Sequence, residues 1–157
     1  MKLTPDLENM GFCLINVNET DVDNYIYLKR TVYKKYIDEH SDFFGEWNDK
    51  FSFDEFYHKI KLTFFKKLLL NDAIVGFMNY DQKKDKIDDT SIFLAEKVQN
   101  KGIGTLFISN LIKLSKEYSI PTFIEVITTN PAQNLYKRLG FEIYKEKDVF
   151  YFLKYIP

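Results

Sequence analysis

Ser91-Ile-Phe-Leu-Ala-Glu-Lys-Val-Gln-Asn-Lys-Gly-Ile-Gly-Thr-Leu-Phe107 carries a change of hydrophobic period at its centre, and the fold is read outward from that change. Ile92, Phe93 and Leu94 form a short apolar β run. Beyond them Ile103, Leu106, Phe107, Leu111, Leu114 and Tyr118 recur at the spacing of a helix that buries one face. A strand therefore turns into an amphipathic helix at Gly102. Glycines at 102 and 104 strip the first helical turn of side chains, so its N–H groups, which have no partner within the helix, are open to an anion. Lys101 beside them opposes the helix dipole at a cost of roughly 0.3–1 kcal/mol, a placement that makes sense if a phosphate sits at the corner. A tight strand-to-helix connection is the other reading of the same two glycines.

Downstream, Thr122–Ile127 reads as another strand after Pro121. Asn130 caps a last helix with Pro131 at its first position, and Gly140 closes it. Residues 141–145 and 149–155 then pair as a hairpin. Upstream, residues 12–17 read as a first strand and Asn18, Glu19 and Thr20 as the turn leaving it, with Thr20 and Asp23 as a capping pair. Val22, Tyr25, Ile26, Val32, Tyr33, Tyr36 and Ile37 keep helical spacing to about His40. An irregular piece, 41–51, follows, and Ser52-Phe-Asp-Glu55 matches a capping box that opens a short helix through Ile60. Residues 63–70 and 73–80 are strands joined by a tight Asn71-Asp72 turn, Gly76 marks a bulge or a close backbone approach, and 81–86 is a charged loop. The order predicts an α/β (α+β) fold, a mixed twisted sheet of six to seven strands with helices on both faces.

At 157 residues the chain can bury a core without disulfides, and a single domain over residues 1–157 is expected. Acidic and basic residues nearly cancel, 23 against 22, so no global field draws the chain to nucleic acid or to an anionic membrane, and neither is expected as a partner. Cys13, the single cysteine, lies in an apolar run and is expected to be a buried thiol. No stretch has the length of a signal peptide or a membrane span, so a soluble cytoplasmic protein is expected. No metal-ligand spacing is present, and no metal is expected. Exposed edges in the last hairpin leave both a monomer and a homodimer open.

Two blocks of sequence resemble a known family. Gln99-Asn-Lys-Gly-Ile-Gly104 fits the Q/R-x-x-G-x-G/A signature of the GNAT superfamily of acyl-CoA-dependent N-acyltransferases. Further on, Asn130-Pro-Ala-Gln-Asn-Leu-Tyr-Lys-Arg-Leu-Gly-Phe-Glu142 resembles the family's N…A…LY…LGF segment, in the right order and spacing. The resemblance runs from about Ile74 to Phe152 and implies a GNAT-like fold in which the strands of Ile92 and Phe123 run parallel but splay apart. A splayed pair leaves backbone groups unpaired, which is costly unless something with amides fills the gap, and the pantetheine arm of coenzyme A would do so. The implied activity is transfer of an acetyl group from acetyl-CoA to a primary amine of a small molecule or peptide, by direct attack in a ternary complex. A catalytically silent coenzyme A-binding sensor or interaction module is the alternative.

Acyl transfer from a thioester to an amine needs an anchored donor, a neutral amine, a stabilised oxyanion and a proton for the thiolate. The resemblance implies that the main chain of Gln99, Asn100, Lys101, Gly102, Ile103, Gly104 and Thr105 grips the pyrophosphate. It also implies that the main chain of Phe93 and Leu94 pairs with the pantetheine and sets an N–H near the thioester oxygen. Tyr136 matches the family's general acid, a phenol with a reference pKa near 10 that donates without ionising at neutral pH; by spacing alone it packs beside Leu135 and Leu139. Asn130 and Asn134 are placed to reach coenzyme A, although Asn130 is equally an N-cap and the asparagine-to-tyrosine spacing is often one residue longer in the family. Glu125 interrupts the apolar pair Ile124 and Val126, either as a base acting directly or through water, or as a half-exposed residue paired with a lysine. His40 is a weaker candidate base, since a histidine at a helix end is usually a cap. Asp38, Glu39, Asp42, Glu46, Asp49, Asp54 and Glu55, with Phe43, Phe44 and Trp47 among them, would make an acidic aromatic lip suited to a cationic amine such as a polyamine, an amino sugar or a lysine side chain. A solvated acidic loop is the simpler reading of that stretch.

Overall fold

A computed structural model describes residues 1–157. In chain order the elements are α1 (Pro5–Asn9), β1 (Phe12–Asn16), α2 (Val22–Glu39), α3 (Ser41–Phe44), α4 (Asp49–Lys59), β2 (Phe64–Leu70), β3 (Ala73–Gln82), β4 (Ile87–Leu94), α5 (Ile103–Tyr118), β5 (Thr122–Ile127), α6 (Ala132–Arg138), β6 (Glu142–Lys147) and β7 (Phe150–Tyr155). The strands form one seven-stranded sheet in the order β1-β2-β3-β4-β5-β7-β6. Every neighbouring pair is antiparallel except β4 and β5. The expected mixed sheet with helices on both faces is the architecture found.

Alternation along the central strands sorts side chains into two cores. Phe64, Leu68, Met78 and Tyr80 join Ile103, Phe107, Ile108 and Leu111 of α5 in one buried cluster, while Phe65, Phe77 and Phe93 join Tyr25 and Leu28 of α2 and Phe56 of α4 in the other. Residues of β3 from Val75 to Tyr80 are buried on both sides, which is why that strand reads as a continuous apolar run. In the second cluster the Tyr25 ring touches Phe56, Phe65, Phe77 and Phe93 at centroid distances of 5.1–5.9 Å. These tilted and edge-on contacts add roughly 0.5–1.5 kcal/mol per pair beyond area burial.

Local turn chemistry explains the boundaries. Asn71 and Asp72 both adopt left-handed backbone, φ 48° and 67°, the geometry that a two-residue hairpin needs. Gly76 is a close approach: a Cβ there would lie 2.5 Å from Leu94 Cδ2 and 3.2 Å from the Phe93 carbonyl oxygen. The bulge expected near it is also present, since the β2–β3 register shifts between Leu68 and Leu69.

Besides Ser41–Phe44, which is helical where an irregular piece is expected, three sequence expectations fail locally. The cap before α2 is not Thr20 with Asp23: Asn18 accepts from the Thr20 N–H at 3.0 Å, and Asp21 Oδ2 accepts from the Asn18 N–H at 2.9 Å, closing a 3-10 turn, Glu19–Asp21, that feeds the helix. Ser52 does not open α4, because Asn48 caps that helix four residues earlier by accepting from the Lys50 N–H at 2.9 Å. Its Oγ is left buried with no partner. Cys13 is exposed, not buried, because β1 is an edge strand that turns Phe12 inward and its neighbour outward.

Candidate active site

The glycine corner at the start of α5 is open. Gly102 has φ +80°, a left-handed conformation that glycine adopts without strain, and nothing lies within 4 Å of where its Cβ would be. No side chain caps the helix, and its first backbone bond, Leu106 N–H to the Gly102 carbonyl, leaves the N–H groups of residues 103–105 without an intrahelical acceptor. Gln99, Asn100, Lys101 and Thr105 are exposed around this turn, Ile103 is buried beneath it, and Gly104 packs against Leu135, so closely that a Cβ would sit 3.2 Å from Leu135 Cδ2. Gln99 ties the corner to the strand before it by donating from its side-chain amide to the Leu94 carbonyl at 2.9 Å.

Past this corner the two parallel strands part. Residue pairing between β4 and β5 stops at Ile87 with Thr122 and Thr90 with Ile124, so residues 91–94 and 125–127 face one another without a ladder. A cavity of about 690 Å³ opens there on the side of α2 and α4. Phe93, Glu125, Asn130 and Tyr136 line it. Leu94, the corner residues 99–105 and Asn134 lie outside its lining; Leu94 packs over Gly76, and Asn134 is exposed. An uncapped helix N-terminus beside an unzipped strand pair is an arrangement that accepts an anionic group joined to an extended, amide-bearing arm, and coenzyme A is built that way.

Tyr136 belongs to the α5-side core through Phe141 and its neighbours, yet its ring also lines the cavity on the opposite side of the sheet. Burial, with Tyr33 nearby, holds its phenol well above the usual tyrosine pKa. Glu125 lines the α2 side of the gap; the residue is exposed, and the partial shielding of its carboxyl from water raises its pKa. The cap position of α6 is Pro131, one residue later than expected; Asn130 Oδ1 accepts from the Ala132 N–H at 2.9 Å just ahead of the helix, and Asn130 lines the cavity. His40 joins α2 to α3, lies 3.2 Å through Nε2 from Thr129 Oγ1, and is not among the lining residues.

The acidic stretch is largely spent on its own cations. Asp38 pairs with Lys34, Asp49 with Arg30 and the Trp47 indole N–H, and Asp54 with Lys50. Of the seven acids only Glu46 and Glu55 line the cavity. Glu55 turns inward, where it accepts from the Tyr25 hydroxyl at 3.0 Å and from Lys29, and it forms an ion pair with Lys59 at 3.3 Å. Lys59 also donates to Asn79 Oδ1 at 3.0 Å and to Ser91 Oγ at 2.8 Å, residues that are register partners on β3 and β4. Burial, together with the charge of Lys59, pulls the Lys29 amine down to about 7; burial pulls Lys59 down to about 8 against the pull of Asp89.

Sequence reasoning missed this polar floor. Lys29 stands four residues from both Tyr25 and Tyr33 on the buried stripe of α2, and that position, read strictly, marks a lysine that faces inward. No helix is long and apolar enough to cross a membrane, and no group of three or more His, Cys, Asp or Glu could hold a metal ion.

The sequence profile of the acetyltransferase (GNAT) family matches residues 32–141. The chain belongs to that family of coenzyme A-dependent acetyltransferases. Comparison with curated proteins gives no match. Among solved structures it is similar to PH1933 from Pyrococcus horikoshii, with 18% identity, a TM-score of 0.70, and coverage of 93% of this chain and 98% of that one. It is also similar to the PaiA N-acetyltransferase of Thermoplasma acidophilum in complex with coenzyme A, with 14% identity, a TM-score of 0.69, and coverage of 94% and 100%. Naa50 of Arabidopsis thaliana, in complex with the bisubstrate analogue CoA-Ac-MVNAL, has 16% identity and a TM-score of 0.62 over 92% of this chain and 98% of that one. At these identities the likeness is one of fold.

Proposed function

We propose that the protein transfers the acetyl group of acetyl-CoA to a primary amine by direct attack in a ternary complex. The observation that carries this reading is the parting of β4 and β5 beyond Thr90 and Ile124, with Tyr136 and Glu125 reaching the same opening from opposite sides of the sheet. Main-chain N–H groups at residues 103–105 bind the pyrophosphate, with the helix dipole adding to the attraction. The backbone at Phe93 and Leu94 orients the thioester arm and presents a donor to its oxygen as charge develops there. Glu125, whose raised pKa makes it a better proton acceptor than an ordinary carboxylate, takes the proton of the attacking amine. The Tyr136 phenol remains protonated and delivers its proton to the departing thiolate.

The test is release of free thiol from acetyl-CoA in the presence of polyamines, amino sugars, amino acids and peptides, repeated with Tyr136→Phe. Turnover with one acceptor class, lowered in the variant, supports the reading. Binding of acetyl-CoA by calorimetry with no thiol released against any amine identifies a silent coenzyme A-binding module instead.

A further inference from the structure

The floor of the cavity holds two lysines on one directly paired carboxylate and two side chains with donors that lack a protein acceptor. Lys29 and Lys59 share the single carboxylate of Glu55. Lys59 donates to Asn79 Oδ1 and Ser91 Oγ and forms an ion pair with Glu55 Oε1 at 3.3 Å. Lys29 has only Glu55 as a hydrogen-bond partner and is otherwise surrounded by the rings of Tyr25, Tyr33 and Phe51, 5.4–5.9 Å from its Nζ, so its remaining N–H groups have no protein acceptor. On the facing helix Ser52 lines the same cavity on the α4 stripe that carries Glu55 and Lys59; its Oγ is buried and bonded to nothing. A buried hydroxyl and a buried ammonium left short of acceptors cost free energy that a bound acceptor group would recover.

The other carboxylates that line the cavity do not reach this corner in a free form. Asp88 is paired with Lys83 and Lys86, and Asp89 with His58 Nε2 at 2.6 Å. Glu46 is exposed, and Glu125 stands on β5 at the strand gap. The floor is therefore donor-rich while Glu125 stands at the gap, and aromatic side chains line the same cavity: Tyr33, Phe44, Trp47, Phe51, Phe150 and Phe152.

We infer that the acceptor is a small amine with an apolar body and a carboxylate, an apolar amino acid in type, whose carboxylate oxygens take hydrogen bonds from Lys29 Nζ and Ser52 Oγ while its amine faces Glu125. This rests on the acyl-transfer reading for the amine but not for the carboxylate. A polyamine is the poorer fit for a physical reason: its far ammonium brings further donors to a corner whose free groups, Lys29 Nζ and Ser52 Oγ, are themselves short of acceptors.

Calorimetry on the full chain with L-phenylalanine, 3-phenylpropionate and 2-phenylethylamine, each with coenzyme A present, scores the carboxylate without requiring turnover. The two carboxylate-bearing probes are expected to bind roughly tenfold or more tightly than 2-phenylethylamine, the discrimination of a charge-assisted hydrogen bond. Lys29→Gln is expected to abolish that preference, Lys29→Arg to keep most of it, and the near-isosteric Ser52→Ala to reduce it severalfold. Equal or tighter binding of 2-phenylethylamine by the unaltered protein overturns the inference, as does a preference that survives both Lys29→Gln and Ser52→Ala. Absence of thiol release with every amine, alongside an intact carboxylate preference, would remove the transferase reading and leave the carboxylate site standing.

Discussion

Tyr33 and Tyr136 share one cavity although they are anchored on opposite faces of the sheet. Tyr33 stands on α2 and packs on Phe93 at 5.8 Å, whereas Tyr136 stands on α6 in the α5-side core. They can meet only because β4 and β5 are unpaired between them. Each phenol is held above its ordinary pKa, Tyr33 at about 12, chiefly by burial. Burial thus lets each phenol keep its proton until a stronger base appears.

Replacing Tyr136 by Phe removes the proposed acid and keeps the ring packing. Turnover should fall by about a hundredfold while calorimetry finds acetyl-CoA binding nearly unaltered. Unchanged thiol release would discard the assignment.

As the proposed base, Glu125 should set the acid side of the pH profile. Its folded pKa is raised, so the basic form is lost as pH falls through a value above the usual carboxylate range of about 4. The acid limb of kcat/KM should lie correspondingly high, and Glu125→Gln should lower the rate by about 10²–10⁴ and flatten that limb. A limb unmoved in the variant assigns it to another group.

Gly102→Ala puts a methyl group in the open space over the corner and forces alanine into left-handed backbone. The strain costs about 1–2 kcal/mol, read as a lower unfolding midpoint. The thermal shift given by saturating acetyl-CoA should shrink as well, since that shift measures affinity. A full ligand shift on a destabilised background would mean that the corner does not touch the donor.

Stability should rise with pH across the range where most proteins have passed their optimum. Lys29 and Lys59 have folded pKa values of about 7 and about 8, against an ordinary 10.5, so between those limits the unfolded chain binds more protons and each rise in pH favours the fold. Above about pH 10 the sign reverses, because Tyr25, Tyr33 and Tyr136 are held protonated by the fold and ionise first in the unfolded chain. Thermal unfolding from pH 6.5 to 11 should therefore peak near pH 9–10, and Lys29→Met should flatten the rise, which a profile that falls steadily from neutrality would contradict.

What was legible in the sequence was what short-range chemistry decides. The period change at Gly102, the Asn71-Asp72 turn and the strand Thr122–Ile127 each depend on a few adjacent residues, and each stands where it was expected. The cap at Ser52 failed because an equally good cap, Asn48, lies just ahead of it, and propensity alone does not choose between two. The polar floor was illegible for a different reason. Lys29 and Lys59 look like ordinary solvated helix lysines until α2 and α4 cross over the sheet and close on Glu55, an event that joins residues 26 positions apart. Burial of a charge is a property of the packed molecule.

The weak seam between β4 and β5 has a mechanical meaning. Two register pairs join these strands, whereas six join β5 to β7, so the sheet behaves as two plates sharing a short hinge at Ile87 and Thr90. Prising the plates apart at the far end breaks no ladder bond. The width of the jaw can follow the thickness of whatever is clamped in it, while Glu125 on one plate and Phe93 on the other are carried as rigid passengers.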